Sequence, residues 1–452
     1  MNNLNDQSNM ISLPISAPAM EEVRWAFIGV GRGGGHLKTV LQLENASVKV
    51  VCDNHQPTLE NMMQSVETEN AHKPNWSTPD TLGGDGDENA WKKILDRDDV
   101  DAVVISTAWE QHTPMALAAM QAGKHAFIEV PAAISIDECW QLVDTAEATG
   151  KHCMMLENCN YGREELMLLN MVRQGLFGEL LHGEAAYIHE LRGQMFEEEH
   201  GCGSWRTYHY ATDQGNLYPT HGVGPVAHYM DVNRGDNFDY LVSMSSPARG
   251  RELFARANFP EDHKWNAIKD WRCGDLSTSI IKLLSGKTMM VQWDETSPRP
   301  YSRHNYVQGT KGAFGSFPNR IALDYALEDL PEAVRASTHK GSGKDSGRTS
   351  FHEWDTHMEP WFYAYDHPLW QKVGVVAEEH GGHGGMDYVM WWRIQQCLLD
   401  GKPMDQSVYD AALWSAITPL SCASVEGGST PQAFPDFTRG KWKTTSPLSI
   451  DV

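Results

Sequence analysis

"WAFIGVGRGGGHLKTV", residues 25–40, decides how the first third of this chain is read. Its apolar opening, "WAFIGVG", has the pattern of a buried strand, and "HLKTVLQLE" has that of the following helix. Between them, Gly29, Gly31 and Gly34 spell G-x-G-x-x-G, and Asp53 ends the next strand-like run, "VKVVCDN", 22 residues after Gly31. The first glycine permits a tight turn, the second lets backbone approach a pyrophosphate, and the third lets the helix pack closely. Phosphates would then rest on the helix N-terminus. Asp53 would accept hydrogen bonds from ribose hydroxyls and repel a 2'-phosphate, so the spacing predicts NAD rather than NADP. Arg32 inside the loop either offsets phosphate charge or is a solvated loop arginine.

Outward from this stretch the chain alternates short apolar runs with helical ones. "TLENMMQSVE" reads as the second helix, and a Pro-, Gly- and Asp-rich stretch at 72–90 reads as a surface excursion. "DAVVIST", "HAFIEV" and "HCMMLE" then read as strands separated by the helices "TPMALAAMQAG" and "IDECWQLVDTAEATG". Strands alternating with helices imply parallel pairing, hence a Rossmann-type doubly wound domain over 24–157 behind an N-terminal arm, 1–23. Ligands of such sheets lie outside the carboxyl ends of the strands. That singles out "TAWEQH" with Trp109 and His112 beside a nicotinamide ribose, "EVP" with Glu129 on ribose hydroxyls, and "ENCNYG" with Asn158 toward a carboxamide. His112 has an alternative reading as a residue capping its own helix turn.

After residue 158 the texture changes. The amphipathic helix "REELMLLNMVRQGL" leads into longer strand-like pieces, "LLHGEAAYIHEL", "LSTSIIKLLS", "KTMMVQWDET" and "YVQGT". These predict an α+β domain with a mostly antiparallel sheet over 158–452, against which "GGMDYVMWWRIQQCLLDG" and "SVYDAALWSAITPLSCAS" are expected to pack. Within it, residues 203–231, "GSWRTYHYATDQGNLYPTHGVGPVAHYMD", are dense in Tyr, His, Arg and Gly and poor in aliphatics. Tyr218 and His221 bracket Pro219 and Thr220 on one constrained turn. A phenol and an imidazole at close range suit proton transfer to and from sugar hydroxyls near neutral pH.

Composition narrows the partners. Against 37 Lys and Arg stand 60 Asp and Glu, a formal charge of −23 that repels nucleic acid and anionic lipid and favours a neutral or cationic small substrate. Eight cysteines without a C-x-x-C pair read as reduced thiols, neither a disulfide framework nor a zinc ribbon. The first 20 residues lack the charged start and continuous apolar run of a signal peptide, and no run reaches the roughly 18 apolar residues of a spanning helix. A cytoplasmic protein is the expectation. His380 and His383 in "EEHGGHGGMD" lack the i, i+4 spacing of H-E-x-x-H, so no metal site is expected there.

Together, "FIGVG", "WEQH", "EVP", "ENCNYG", "YPTHGVGPVAHYM" and "SPRPY" resemble the Gfo/Idh/MocA superfamily. Within it, "YGREELMLLNMVRQGLFGELLHGE", "NRGDNFDYLVSMSS" and "VYDAALWSAITPLS" resemble glycoside hydrolase family 109, the NAD-dependent α-N-acetylgalactosaminidases. The resemblance implies cofactor contacts at Arg32, Gly33, Asp53, Trp109, Glu110, Gln111, His112, Glu129, Val130, Asn158, Arg206 and Tyr218, and sugar contacts at Tyr187, Tyr218, Pro219, Thr220, His221 and Tyr301. It implies that His221 deprotonates the C3 hydroxyl with Tyr218, that Tyr187 or Tyr301 assists at C2 or C1, and that Arg206 holds cofactor and substrate. The glycine loop departs from the family's usual G-x-G-M-R-G, which leaves the alignment of Arg32 and Gly33 open by one position. Superfamily dehydrogenases usually carry lysine where this chain has Val130, and lysine there serves net alcohol oxidation. Valine is consistent with a cycle of oxidation, elimination, water addition and reduction with no net redox change; a plain NAD-dependent sugar dehydrogenase is the rival reading. A sheet-mediated homodimer is compatible with this fold.

Overall fold

The computed structural model describes residues 15–72, 76–380 and 382–451. The first fourteen residues of the expected arm lie outside them. The chain forms two compact units, one running to Leu156 and including Glu379–Ala416, the other made of Glu157–Glu378 and the residues from Ile417 onward.

The first unit is built on six parallel strands: β1 (Val23–Ile28), β2 (Ala46–Asp53), β3 (Asp80–Gly83), β4 (Ala102–Ile105), β5 (His125–Ile128) and β6 (Cys153–Met155). Their order, β3-β2-β1-β4-β5-β6, is that of the doubly wound dinucleotide fold. All residues of β4, β5 and β6 are buried, as expected for strands covered on both faces. Helix α1 (Gly33–Val40) follows β1, α2 (Gln56–Asn70) follows β2, α3 (Trp109–Gln121) follows β4 and α4 (Ile136–Thr149) follows β5.

Two features depart from the sequence expectation. β3 lies inside the stretch read as a surface excursion. Its four residues, DTLG, are half-exposed at the sheet edge, so they carry no apolar run to betray them. The helix Met386–Asp400 belongs to this first unit, as does Val408–Ser415, although both were expected on the second domain. Trp391 explains the first of these: its indole packs edge-on to Trp25 of β1 at 5.3 Å between ring centroids. Apolar periodicity marks a helix as buried and is silent on what buries it.

The second unit carries an eight-stranded sheet in the order β13-β12-β11-β7-β10-β9-β8-β14. These are β7 (Leu180–Ile188), β8 (Phe238–Ser245), β9 (Ser277–Leu283), β10 (Thr288–Asp294), β11 (Tyr306–Gly309), β12 (Gly312–Gly315), β13 (Arg320–Leu323) and β14 (Gln432–Ala433). Pairing is antiparallel except between β7 and β10, which run parallel. Helices α5 (Arg163–Arg173), α6 (Cys202–Thr212) and α7 (Thr220–Tyr229) come from the same unit. Helix α7 lies hard against β7. A Cβ at Gly222 would sit 2.3 Å from the Ala186 nitrogen, so only glycine permits this approach, and it sets His221 beside Tyr187.

Candidate active site

In the first unit, the turn after β1 needs its first glycine. Gly29 has φ +81°, and a Cβ there would lie 2.4 Å from the Ser106 carbonyl oxygen at the end of β4. Gly31 and Arg32 are exposed at the turn while Gly33 and Gly34 are buried in α1, whose first turn holds no acidic residue. Asp53 Oδ2 accepts from the Val30 amide at 2.8 Å and Oδ1 from the His55 amide at 2.9 Å, so the carboxylate that would face a ribose also fixes the loop.

Glu129 is the electrostatic centre of this group. Its Oε1 accepts from His36 Nε2 at 2.7 Å and lies 3.1 Å from Arg32 Nε, and its Oε2 accepts from the Val130 amide at 3.1 Å. Burial pushes the carboxyl up, but Arg32, His36 and that amide outweigh it and hold it well below the usual range. His36 is itself oriented: its Nδ1 accepts from Trp391 Nε1 at 2.9 Å, which places the ring proton on Nε2, toward Glu129. Neither His36 nor Trp391 was legible as part of the site, because the three residues meet only in the folded unit.

Trp109 and His112 are buried on the first turn of α3, and Glu110 and Gln111 are exposed. Both nitrogens of His112 face carbonyl oxygens, Nδ1 that of Pro131 at 2.7 Å and Nε2 that of Thr107 at 3.0 Å. Burial pushes its pKa down against the pull of both carbonyls. His112 therefore ties α3 to the EVP loop. Val130 is buried within that loop.

A nicotinamide dinucleotide fits this donor set. The first turn of α1 carries no acidic residue of its own, the carboxylate beside it, Glu129, is neutralised by Arg32 and His36, and the buried Ser106 Oγ beside the turn has no hydrogen-bond partner in the protein.

In the second unit, Glu157 precedes a 3-10 turn, Asn158–Tyr161, and is fully buried. Its Oε1 accepts from the Cys159 amide at 3.2 Å and from His221 Nδ1 at 2.7 Å. The imidazole is thereby held with its Nδ1 proton on the carboxylate, leaving the Nε2 lone pair as the basic position. Around it stand Tyr187 and Tyr218, with ring centroids 4.9 and 5.1 Å from that of His221 and 5.2 Å from each other. Pro219 and Thr220 are buried between Tyr218 and His221, where α7 begins. The Arg206 guanidinium lies over the Tyr218 ring at 5.0 Å. The Tyr187 hydroxyl is 2.8 Å from His189 Nδ1, and burial pushes the phenol well above its ordinary pKa, with Glu295 adding to the rise.

Tyr301 is exposed and meets His189 edge-on at 5.0 Å; its hydroxyl accepts from Arg303 at 2.9 Å, and Arg303 forms a buried ion pair with Glu165. All four residues expected to carry the chemistry thus fall in one cluster: Tyr187, Tyr218, His221 and Tyr301. Arg206 and Asn158, expected as cofactor contacts, belong to this unit as well. Sequence reasoning missed Glu157, His189, Arg303 and Glu165. The position of Glu157 two residues past the end of β6 was the one signal available.

The class follows from these two sets of residues: an NAD-binding Rossmann domain joined to a domain bearing an acid–base cluster. Residues 23–157 match the oxidoreductase family with an NAD-binding Rossmann fold, Gfo/Idh/MocA, and residues 161–444 match the C-terminal domain of glycosyl hydrolase 109. The chain is 54% identical over 435 residues to a "Glycosyl hydrolase family 109 protein 1" of Shewanella sp. strain MR-4, covering 96% of this chain and 89% of that protein. The same identity and coverage hold for an "Alpha-N-acetylgalactosaminidase" of Shewanella oneidensis. Among solved structures, levoglucosan dehydrogenase with NADH and levoglucosan superposes with TM-score 0.63 at 15% identity, covering 92% of this chain and all of that one. An inositol dehydrogenase homolog with NAD+ from Azotobacter vinelandii gives 0.62 at 14%, covering 92% and 99%. These likenesses concern the fold. The chain belongs to glycoside hydrolase family 109, and its cofactor is NAD.

Proposed function

We propose that this enzyme hydrolyses terminal α-N-acetylgalactosaminides through an NAD-dependent cycle of oxidation, elimination, water addition and reduction, with no net redox change. The observation that carries the reading is the pair of buried Glu157 and partly exposed His221, walled by Tyr187 and Tyr218. A base of this kind serves a C3 hydroxyl, whereas direct hydrolysis needs two carboxylates across the scissile bond.

NAD would be held by the Gly29–Gly34 turn, Asp53, Trp109 and Glu129, and when bound it would supply hydride-acceptor and hydride-donor chemistry at C3. His221 takes the C3 hydroxyl proton on Nε2, and Glu157 stabilises the imidazolium that forms. The C3 ketone acidifies the C2 hydrogen. Tyr187 passes its hydroxyl proton to His189 Nδ1 as its oxygen takes the C2 proton and the glycosidic bond at C1 breaks, and Tyr301, fixed by Arg303, donates its proton to the leaving oxygen. Water then adds at C1 and C2 is reprotonated. Tyr218, Pro219, Thr220 and Arg206 shape the sugar contacts. Val130 in place of a proton-handling lysine suits a cycle that ends without net oxidation. The net charge of −23 favours uncharged glycans. No helix among the described residues is long and apolar enough to cross a membrane. Eight free cysteines fit a reducing compartment, and we place the enzyme in the cytoplasm.

The test is to incubate the purified protein, without added cofactor, with an aryl α-N-acetylgalactosaminide in D2O. Phenol release with deuterium at C2 and no accumulated NADH is expected. NADH accumulation without phenol release would replace this reading with a sugar dehydrogenase.

A further inference from the structure

We propose that Glu157, Cys159 and His221 form a binding site for a thiophilic divalent cation of the zinc class, and that its occupancy switches the enzyme off. The inference rests on the reading of His221 as the C3 base. One donor atom from each of the three side chains lies within 4.8 Å of the others, and among the described residues this is the cluster of three or more His, Cys, Asp or Glu groups able to hold a metal ion.

The donor chemistry selects the ion. Sulfur, imidazole nitrogen and a single carboxylate oxygen suit zinc and its neighbours and are poor ligands for magnesium or calcium. Zinc binds sulfur at about 2.3 Å and imidazole nitrogen at about 2.0 Å, which sets neighbouring ligand atoms roughly 3.3–3.5 Å apart. The His221–Glu157 pair has to open from 2.7 Å and the thiol to close from no more than 4.8 Å, within the reach of side-chain torsions. Charge balance favours the result. Glu157 and Cys159 are buried, and one carboxylate plus one thiolate cancel a divalent cation where an unbalanced charge is costly. Arg303, whose charge is felt at Cys159, is already neutralised by Glu165. Three protein ligands leave a fourth position for water.

The loss of activity follows from the imidazole tautomer. In the metal-free site, Nδ1 carries the proton that it donates to Glu157, and Nε2 is free to act as a base. A neutral ring coordinated through Nδ1 must carry its one proton on Nε2. The ring then has no lone pair for the C3 hydroxyl. Metal exchanges the Nδ1 proton and the thiol proton for two metal bonds, both protons leaving to solvent, with no change in oxidation state. Because Tyr187, Tyr218 and Arg206 are untouched, sugar binding persists, and the effect falls on kcat rather than KM.

The experiment uses the NAD-loaded enzyme. Zn2+ is expected to depress kcat with KM unchanged, Mg2+ to do nothing, and Cys159→Ser to raise the Zn2+ concentration for half-inhibition roughly 10- to 100-fold. Co2+, added in place of Zn2+, is expected to give a thiolate-to-cobalt absorption band that Cys159→Ser abolishes, which reads the site independently of turnover. Part-exposed Cys202 and Cys422 are unchanged in that variant, so adventitious thiol binding would leave both readouts at wild-type values. Wild-type Zn2+ sensitivity in Cys159→Ser, or no cobalt–thiolate band in the unmodified enzyme, overturns the proposal. Should Cys159→Ser fail to fold, Cys159→Ala takes its place, and the cobalt spectrum of the unmodified protein decides alone. If metal-free enzyme releases no phenol, the glycosidase reading fails while the cobalt band still tests the site.

Discussion

Glu157→Gln isolates the charge that supports the base. The substitution keeps the shape of a side chain with no exposed surface, and its amide oxygen can still accept from His221 Nδ1. What is lost is the negative charge beside an imidazolium formed during turnover. At a separation of about 4 Å and an effective dielectric constant near 20, two unit charges attract by about 4 kcal/mol, which sets the upper bound. The lower bound is the difference between a charge-assisted and a neutral hydrogen bond, about 1.5 kcal/mol. At about 1.4 kcal/mol per tenfold, kcat should fall roughly 10- to 1,000-fold. KM should move little, because the carboxylate touches no sugar in this scheme. The assay is initial-rate phenol release from an aryl α-N-acetylgalactosaminide, with His221→Ala as the floor and thermal denaturation to confirm that the variant is folded. A folded Glu157→Gln enzyme with kcat within about twofold of the unmodified protein, below even the lower bound, would refute the argument that this carboxylate stabilises the imidazolium.

Other perturbations test other parts of the structure. Gly29→Ala places a Cβ 2.4 Å from the Ser106 carbonyl at φ +81°, so the purified protein should carry less NAD, measured after denaturation, and lose about 1–2 kcal/mol from backbone strain alone. Arg303→Met strands the Glu165 carboxylate in the interior and should cost about 3–5 kcal/mol in thermal or denaturant unfolding. Adding Glu165→Leu should restore stability but not activity, since Tyr301 still lacks its donor. The adjacent His125 and His152 rings, 5.0 Å apart between centroids, link stability to pH, because burial pushes the two pKa values down to about 3 and about 4. Unfolded, each takes up a proton near pH 6.5, so between roughly pH 6.5 and 4 the unfolded chain binds more protons than the folded one. Stability therefore falls on acidification through that window, and His152→Phe should flatten the decline of Tm from pH 6.5 to pH 4.5. An unchanged slope would remove the pair from the acid response.

The first domain was legible because its signals are local. A strand, a glycine turn and a helix within sixteen residues dictate their own geometry, and Gly29 must adopt its positive φ wherever the rest of the chain lies. Tyr218 and His221 were likewise legible, since a short turn holds them together whatever surrounds it. β3 was not, because an edge strand of four half-exposed residues has no apolar pattern.

The sequence by itself determined the doubly wound sheet, the dinucleotide turn with Asp53, and Tyr218 and His221 as acid–base candidates, while Tyr187 and Tyr301 entered through the family resemblance. Only the tertiary structure decided their partners. Glu157 reaches His221 across 64 positions, His36 stands between Glu129 and Trp391, and Arg303 joins Glu165 to Tyr301. The helix Met386–Asp400 joins the first unit, although it follows more than 200 residues of the second. The physical reason is the same in each case. Local pattern reports that a side chain is buried or polar, whereas a buried charge is tolerable only with a partner, and packing of distant segments chooses which one.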